Sequence, residues 1–139
     1  MQRIHATSVN IDGFGVLIRG PSGSGKSDLA LRLIDVGARL IADDQTEISA
    51  DGPYIRLNAP HEIAGKIEIR GYGISKMAYD QNIVLSLIVD LRDKDDIERM
   101  PGIPTDEILG KPILVLQLNA FEASGVAKIH AVLKETSDG

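Results

Sequence analysis

The pattern of apolar positions predicts two helices. The first follows residue 27, and the side chains that recur in it with the spacing of one helix face are Leu29, Ala30, Leu33, Ile34 and Val36. Gly37 follows directly and is placed to end this helix at its C-terminal cap. Further along the chain, Asn119 and Glu122 resemble a capping box. They predict a second helix that runs to about Lys134 and turns three apolar residues inward: Val126, Ile129 and Leu133.

Short apolar or alternating segments around these helices predict strands. They are residues 5–11, 14–18, 39–42, 47–49, 54–57, 67–70, 83–89 and 112–118. Asp12-Gly13 and Asp51-Gly52-Pro53 predict tight hairpins, whereas the polar residues 92–104 predict a mobile segment. Residues 83–89 are apolar except for Ser86 and predict a central strand. Strands and helices together indicate an α/β fold, and the first hairpin indicates a mixed sheet.

Length, composition and charge narrow the class of protein. The 139 residues and 43% hydrophobic content predict one globular domain over residues 1–134, followed by a frayed polar tail, residues 135–139. Without cysteine there is no disulfide framework and no thiolate metal site. No apolar run approaches the length of a membrane span, and the first residues do not resemble a signal peptide, so we expect a cytoplasmic protein. The net charge of −5 argues against general nucleic-acid binding.

The most informative motif is Gly20-Pro21-Ser22-Gly23-Ser24-Gly25-Lys26-Ser27, a complete G-x-x-x-x-G-K-[ST] phosphate loop, or Walker A motif. It lies between a predicted strand and a predicted helix, which is the context that such a loop requires. Its glycines let backbone N–H groups turn toward a polyphosphate, and the helix N-terminus adds partial positive charge. Lys26 is expected to reach the β- and γ-phosphates of a nucleotide, and the Ser27 hydroxyl to ligate Mg²⁺.

Two adjacent acids follow the strand after the loop helix. Asp43 and Asp44 occupy the place where a Walker-B-like acid is expected. Neighbouring side chains on a strand point to opposite faces, so we expect one carboxylate to face the metal and its water, and the other a substrate hydroxyl. An aspartate that caps a turn at the entry to a loop is the alternative for either residue.

Other polar residues are weaker candidates. Glu68 and Arg70 are predicted to share a strand face, and the glycines at 71 and 73 favour a site of close approach over a surface ion pair. The first hairpin brings His5 back toward the phosphate loop, where it is a candidate partner for a phosphate or an acid. A histidine at a strand edge is the alternative. The pattern around Arg99 is that of a solvated charge in a polar segment.

Taken together, these motifs resemble the catalytic domain of HPr kinase/phosphorylase over nearly the whole chain. The most specific match is Ile67-Glu68-Ile69-Arg70-Gly71-Tyr72-Gly73-Ile74, close to the family's Leu-Glu-Ile-Arg-Gly-x-Gly-Ile. Ala42-Asp43-Asp44, in register with the loop lysine, is nearly as specific. The resemblance implies a nucleotide-binding fold similar to that of phosphoenolpyruvate carboxykinase, with a mixed sheet.

The resemblance also implies an activity. Members of that family use ATP and Mg²⁺ to phosphorylate a serine of the phosphocarrier protein HPr, in the regulation of a phosphotransferase system. They also run phosphorolysis, in which inorganic phosphate removes the phosphoryl group and pyrophosphate is released. Because the long members are hexamers, we expect a homo-oligomer here.

The resemblance assigns roles residue by residue. Asp44 accepts the proton of the substrate serine and returns it in the reverse reaction. The other implied active-site residues are His5, Lys26 and Arg99, and the implied Mg²⁺ ligands are Ser27 and Glu68. We place three further residues in the nucleotide site beside the loop: Asp43, Arg70 and Gly71.

Two departures from the family pattern matter. Long members carry an N-terminal domain before this region, so the chain is similar to the short forms found in some proteobacteria. Residues 103–111 lack the Pro-Gly-Arg-Asn motif that is tied to dephosphorylation, so we expect kinase activity with weaker phosphorolysis.

Two other functions stay open at this point. A small-molecule kinase would use residues 92–110 as a lid over its substrate. A nucleotide-sensing module without turnover would need none of Asp44, Glu68 and Arg99, and their joint presence argues against it.

Overall fold

The structure is a computed structural model that describes residues 1–138. Within this range the chain forms eleven strands and two α-helices. Their bounds are β1 Gln2–Ile4, β2 Thr7–Ile11, β3 Phe14–Arg19, α1 Lys26–Asp35, β4 Arg39–Ala42, β5 Thr46–Asp51, β6 Tyr54–Asn58, β7 Lys66–Ile69, β8 Gly73–Lys76, β9 Ile83–Leu91, β10 Thr105–Ile108, β11 Lys111–Leu118 and α2 Gly125–Asp138.

Nine of these strands form one mixed sheet, which confirms the predicted α/β class. Its order is β1-β5-β6-β9-β3-β2-β4, with β11 beside β9 and β10 beside β11. The pairs β9–β3 and β9–β11 are parallel, and the other strand pairs are antiparallel. As a result, the C-terminal ends of β3, β4, β9 and β11 meet the start of β2 at one edge of the sheet. We call this the phosphate-loop edge, because the loop follows β3 there.

The predicted hairpin at Asp12-Gly13 is confirmed and sets this geometry. It joins β2 to β3, with φ of 52° at Asp12 and 92° at Gly13. Positive φ at both central residues is the requirement of the tightest hairpin turns. The Asn10 side chain accepts a hydrogen bond from the Gly13 N–H at 2.8 Å and fixes the turn. Because the turn is so short, the start of β2 returns to the phosphate-loop edge.

Both helices pack their apolar faces against the sheet. The predicted core positions of α1 that are fully buried are Leu29, Ala30 and Leu33, and α2 buries Ile129 and Leu133 beside them. Val36 departs from the prediction, since it is 58% exposed. It follows the last residue of α1, where the chain turns away from the helix face. Gly37, with φ of 115°, then ends the helix as its sequence position predicted.

The sequence missed several local features. Strands β1, β8 and β10 were not predicted, and the strand predicted from His5 begins only at Thr7. Helix α2 starts at Gly125 rather than near Asn119. The Asn119 side chain instead accepts the Phe121 N–H at 3.0 Å, which makes a turn and not a helix cap. Helix α2 continues to Asp138, beyond the predicted end near Lys134. Of the tail predicted to fray, Gly139 lies outside the described residues.

Candidate functional site

The phosphate loop bends sharply between β3 and α1. Gly23 and Gly25 have φ of 80° and 98°, a region that side chains other than glycine rarely adopt. Gly25 is the residue before α1, so the loop delivers the N-terminus of that helix to the edge of the sheet. The Lys26 side chain is buried and its Nζ donates to the Gly20 and Pro21 carbonyls at 2.8 and 3.1 Å. The lysine side chain thus lies over the loop whose bound phosphates it is expected to contact.

Asp43 connects three elements of the site. Its Oδ1 accepts hydrogen bonds from the Ser27 hydroxyl at 2.6 Å and from the Thr7 hydroxyl at 3.0 Å. Its Oδ2 accepts the backbone N–H of Glu68 at 2.9 Å. Only 7% of Asp43 is exposed, and this buried carboxylate therefore holds α1, β2 and β7 together beside the phosphate loop.

Asp44 points the other way, toward solvent. Its backbone has φ of 66°, which turns the chain sharply after Asp43. Its carboxylate lies 2.7 Å from Nε2 of His5, and its side chain is 64% exposed. The sequence predicted that the two acids would separate, and they do. One is buried against the loop serine, and the other is open to an approaching molecule beside His5.

Glu68 and Arg70 are less closely associated than the sequence predicted. Strand β7 ends at Ile69, so Arg70 and Gly71 lie in the turn to β8 and not on the strand face of Glu68. The reason is Gly71, whose φ of 89° reverses the chain at that point. Glu68 remains next to the loop through its backbone hydrogen bond to Asp43, and its carboxylate is exposed.

Arg99 is exposed in the segment between β9 and β10. Among the described residues, its guanidinium makes no hydrogen bond or ion pair with the phosphate loop, Asp43 or Asp44. That segment is fixed to the sheet at its start, where the Arg92 N–H donates to the Leu118 carbonyl at 2.9 Å. A role for Arg99 in the site therefore stays a prediction.

Two residues that sequence analysis overlooked belong to this edge. Thr7 is fully buried, and its hydroxyl donates to Asp43 and accepts the Asp44 N–H at 3.1 Å. Arg19 is the residue before the loop. Its guanidinium donates hydrogen bonds to both carboxylate oxygens of Asp90 at 2.7 and 2.8 Å and to the Asp106 carboxylate at 2.8 Å. The hydrogen bond from Arg19, aided by the Glu107 backbone, lowers the pKa of Asp106. No local sequence signal identified Thr7, because its contact with Asp43 depends on the pairing of β2 with β4.

The donor set suits a nucleotide with Mg²⁺. The Ser24 hydroxyl is buried in the loop without a hydrogen-bond partner among the described residues, a polar atom that a phosphate oxygen would satisfy. The Ser27 hydroxyl and the carboxylates around it are oxygen ligands, which Mg²⁺ prefers. No group of three or more acidic or histidine side chains within the described part of the chain forms a metal cluster by itself.

The family model for the HPr Serine kinase C-terminal domain matches residues 1–129. The chain belongs to this family. Curated relatives named HPr kinase/phosphorylase include those of Clostridium botulinum, 35% identical over 140 residues, and Bordetella pertussis, 34% identical over 146 residues. These alignments cover 91% and 96% of this chain but only 45% and 47% of the relatives. The chain thus spans about half the length of the curated HPr kinase/phosphorylases that it matches.

A solved structure shares the fold of this HPr serine kinase C-terminal domain. The Hpr(Ser) kinase/phosphatase from Coxiella burnetii superposes with a TM-score of 0.83 at 26% sequence identity, covering 97% of this chain and 99% of that chain. The resemblance drawn from the sequence is confirmed at the level of family and fold. No helix in the described residues is long and apolar enough to cross a membrane.

Proposed function

We propose that this domain transfers the γ-phosphoryl group of ATP to a serine of HPr. The observation that carries the proposal is the pairing of an exposed Asp44 with His5 beside the phosphate loop. Asp44 is connected to that loop through Thr7 and the buried Asp43. The arrangement joins a phosphate site to a proton acceptor that a protein surface can reach.

In the proposed reaction, Lys26 and the loop bind and orient the phosphates, and Ser27 and Glu68 hold Mg²⁺. When bound, Mg²⁺ would neutralise charge on the phosphates of the nucleotide. Both proposed ligands are close to Asp43, which bonds the Ser27 hydroxyl with one oxygen and the Glu68 backbone with the other. Asp43 therefore positions both of the proposed Mg²⁺ ligands.

Asp44 takes the proton of the attacking serine. A hydroxyl is a weak nucleophile, and a carboxylate in hydrogen-bond reach can accept its proton as the bond to phosphorus forms. His5 holds one carboxylate oxygen at 2.7 Å, which fixes the orientation of the acid. In the reverse direction, the same group returns the proton to the serine oxygen while inorganic phosphate takes the phosphoryl group to form pyrophosphate.

The exposure of Asp44 favours a protein substrate over a small molecule. A small-molecule kinase encloses its substrate, whereas the Asp44 side chain is 64% exposed. Two cavities of about 360 and 350 Å³ among the described residues are lined by residues outside the phosphate loop and do not include Asp44. A serine presented on the surface of HPr fits the open geometry, with the polar segment that carries Arg99 proposed to approach the phosphates.

Incubation of the purified domain with γ-labelled ATP, Mg²⁺ and HPr tests the proposal. We expect label on HPr as phosphoserine, and no label on an HPr variant whose target serine is alanine. Label on a metabolite in place of HPr would favour the small-molecule kinase. Nucleotide binding without any transfer would favour the sensing module. Light scattering of the same preparation tests the proposed homo-oligomer.

A further inference from the structure

An exposed aromatic side chain lies against the phosphate loop. Phe121 follows β11 and is 69% exposed. A Cβ atom placed on Gly25 would come within 3.1 Å of Phe121 Cζ and within 2.7 Å of the Ala120 side chain. The ring edge therefore contacts the last glycine of the loop, and most of the ring surface faces solvent.

The turn that carries Phe121 is fixed from several sides. The Ala120 carbonyl accepts a hydrogen bond from Arg32 of α1, the helix that begins at the loop. The Phe121 N–H donates to the Asn119 side chain, whose amide group donates to the Arg92 carbonyl at 3.1 Å. The backbone that carries the ring is thus fixed before any ligand arrives, and a preorganised contact costs less to form.

Single exposed apolar residues are common and need no explanation. Tyr72, Met100 and Ile103 are more exposed than Phe121 in this chain. Phe121 differs because its ring touches a glycine of the phosphate loop and its backbone is bonded into the same edge of the sheet. A nucleotide whose phosphates occupy the loop must extend its ribose and base out of the loop, over the surface beside the start of α1.

We propose that Phe121 is a stacking platform for the base of the nucleotide. The inference rests on the proposed function only in taking the phosphate-loop ligand to be a nucleotide. An aromatic face recognises the π-face that every base has and not its hydrogen-bonding edge. The side-chain amide of Asn119 is engaged within the chain. Recognition at this position therefore favours purines by stacking area and discriminates weakly between adenine and guanine.

The test compares ATP with inorganic tripolyphosphate, each titrated calorimetrically with Mg²⁺ present. Stacking on an aromatic side chain is worth about 1–3 kcal/mol per base, or about five- to 150-fold in affinity. We expect Phe121→Ala to weaken ATP binding by a factor in that range and to leave tripolyphosphate binding unchanged. Tyr54→Ala is the matched control, because Tyr54 is 54% exposed on β6, a strand that β9 separates from the loop strand β3.

Fluorescence provides a second readout, since the chain has no tryptophan. Phe121→Trp introduces a single indole, whose emission we expect ATP to quench and tripolyphosphate to leave unchanged. Tyr54→Trp should respond to neither ligand.

Equal losses of ATP and tripolyphosphate affinity in Phe121→Ala would overturn the proposal, because they would mean that the ring only supports the loop. Unchanged binding of both would also overturn it. HPr is absent from these titrations. Their outcome therefore does not depend on whether the domain phosphorylates a serine of HPr.

Discussion

Replacing Asp43 with alanine removes the carboxylate at which three elements of the site meet. The variant leaves three donors without their acceptor: the Thr7 hydroxyl, the Ser27 hydroxyl and the Glu68 N–H. Thr7 is fully buried, so its orphaned donor costs about 1–3 kcal/mol, whereas the two others are partly accessible to water and cost about 1 kcal/mol each. We expect the free energy of unfolding to fall by about 3–5 kcal/mol.

Urea unfolding followed by circular dichroism measures this loss. For a domain of 139 residues, 1 kcal/mol corresponds to roughly 3–4 °C in melting temperature, so the melting temperature should fall by about 9–20 °C. Asp43→Asn is the matched control, because the amide keeps the shape and can still accept the Glu68 N–H through its carbonyl oxygen. We expect it to lose only about 1–2 kcal/mol. A loss below about 1 kcal/mol in Asp43→Ala would refute the view that this carboxylate organises the site.

Three further predictions concern single groups. Glu68→Gln should raise the Mg²⁺ concentration needed for transfer to HPr without changing the melting temperature, and an unchanged Mg²⁺ requirement would exclude Glu68 as a ligand. Phosphorolysis of seryl-phosphorylated HPr should be weak or need high phosphate, since Lys111 is the only cation in residues 103–111; equal forward and reverse rates at modest phosphate would contradict this. The hydrogen bond from Arg19 lowers the pKa of Asp106 in the folded protein. The interaction therefore stabilises the fold at pH values above the pKa that Asp106 has in the unfolded chain, and this stabilisation is lost as the pH falls through the folded-state pKa. Acid titration of Asp106→Asn should therefore show a smaller loss of stability at low pH than the parent, and identical acid profiles would argue against the pair.

The parts of the fold that could be predicted from sequence depend on local signals. The phosphate loop, the turn at Asp12-Gly13 and the strand β9 each follow from the residue types that form them. The predicted return of His5 to the loop edge was correct, because a two-residue hairpin leaves one geometry for its strands. The separation of Asp43 and Asp44 was predicted from the alternation of side chains on a strand, but β4 ends at Ala42 and the positive φ of Asp44 is what turns the two carboxylates apart.

The parts that were missed depend on contacts distant in sequence or on unusual backbone. Strand β10 pairs with β11 through a turn with Leu109 at φ of 50°, which leucine rarely adopts, so no turn was predicted. Thr7 meets Asp43 only because β2 pairs with β4, and Arg19 meets Asp90 only because β3 pairs with β9. No spacing within a single segment encodes such partners.

Transfer rates in the Asp44→Asn variant test the central claim most directly. Asparagine tolerates the positive φ of this exposed position, so the fold and ATP affinity should stay close to those of the parent. The account predicts transfer from ATP to HPr by the parent, and a loss of about 10²–10⁴-fold in both directions in the variant. Near-normal transfer by Asp44→Asn, with the loss found in Asp43→Asn instead, would contradict it.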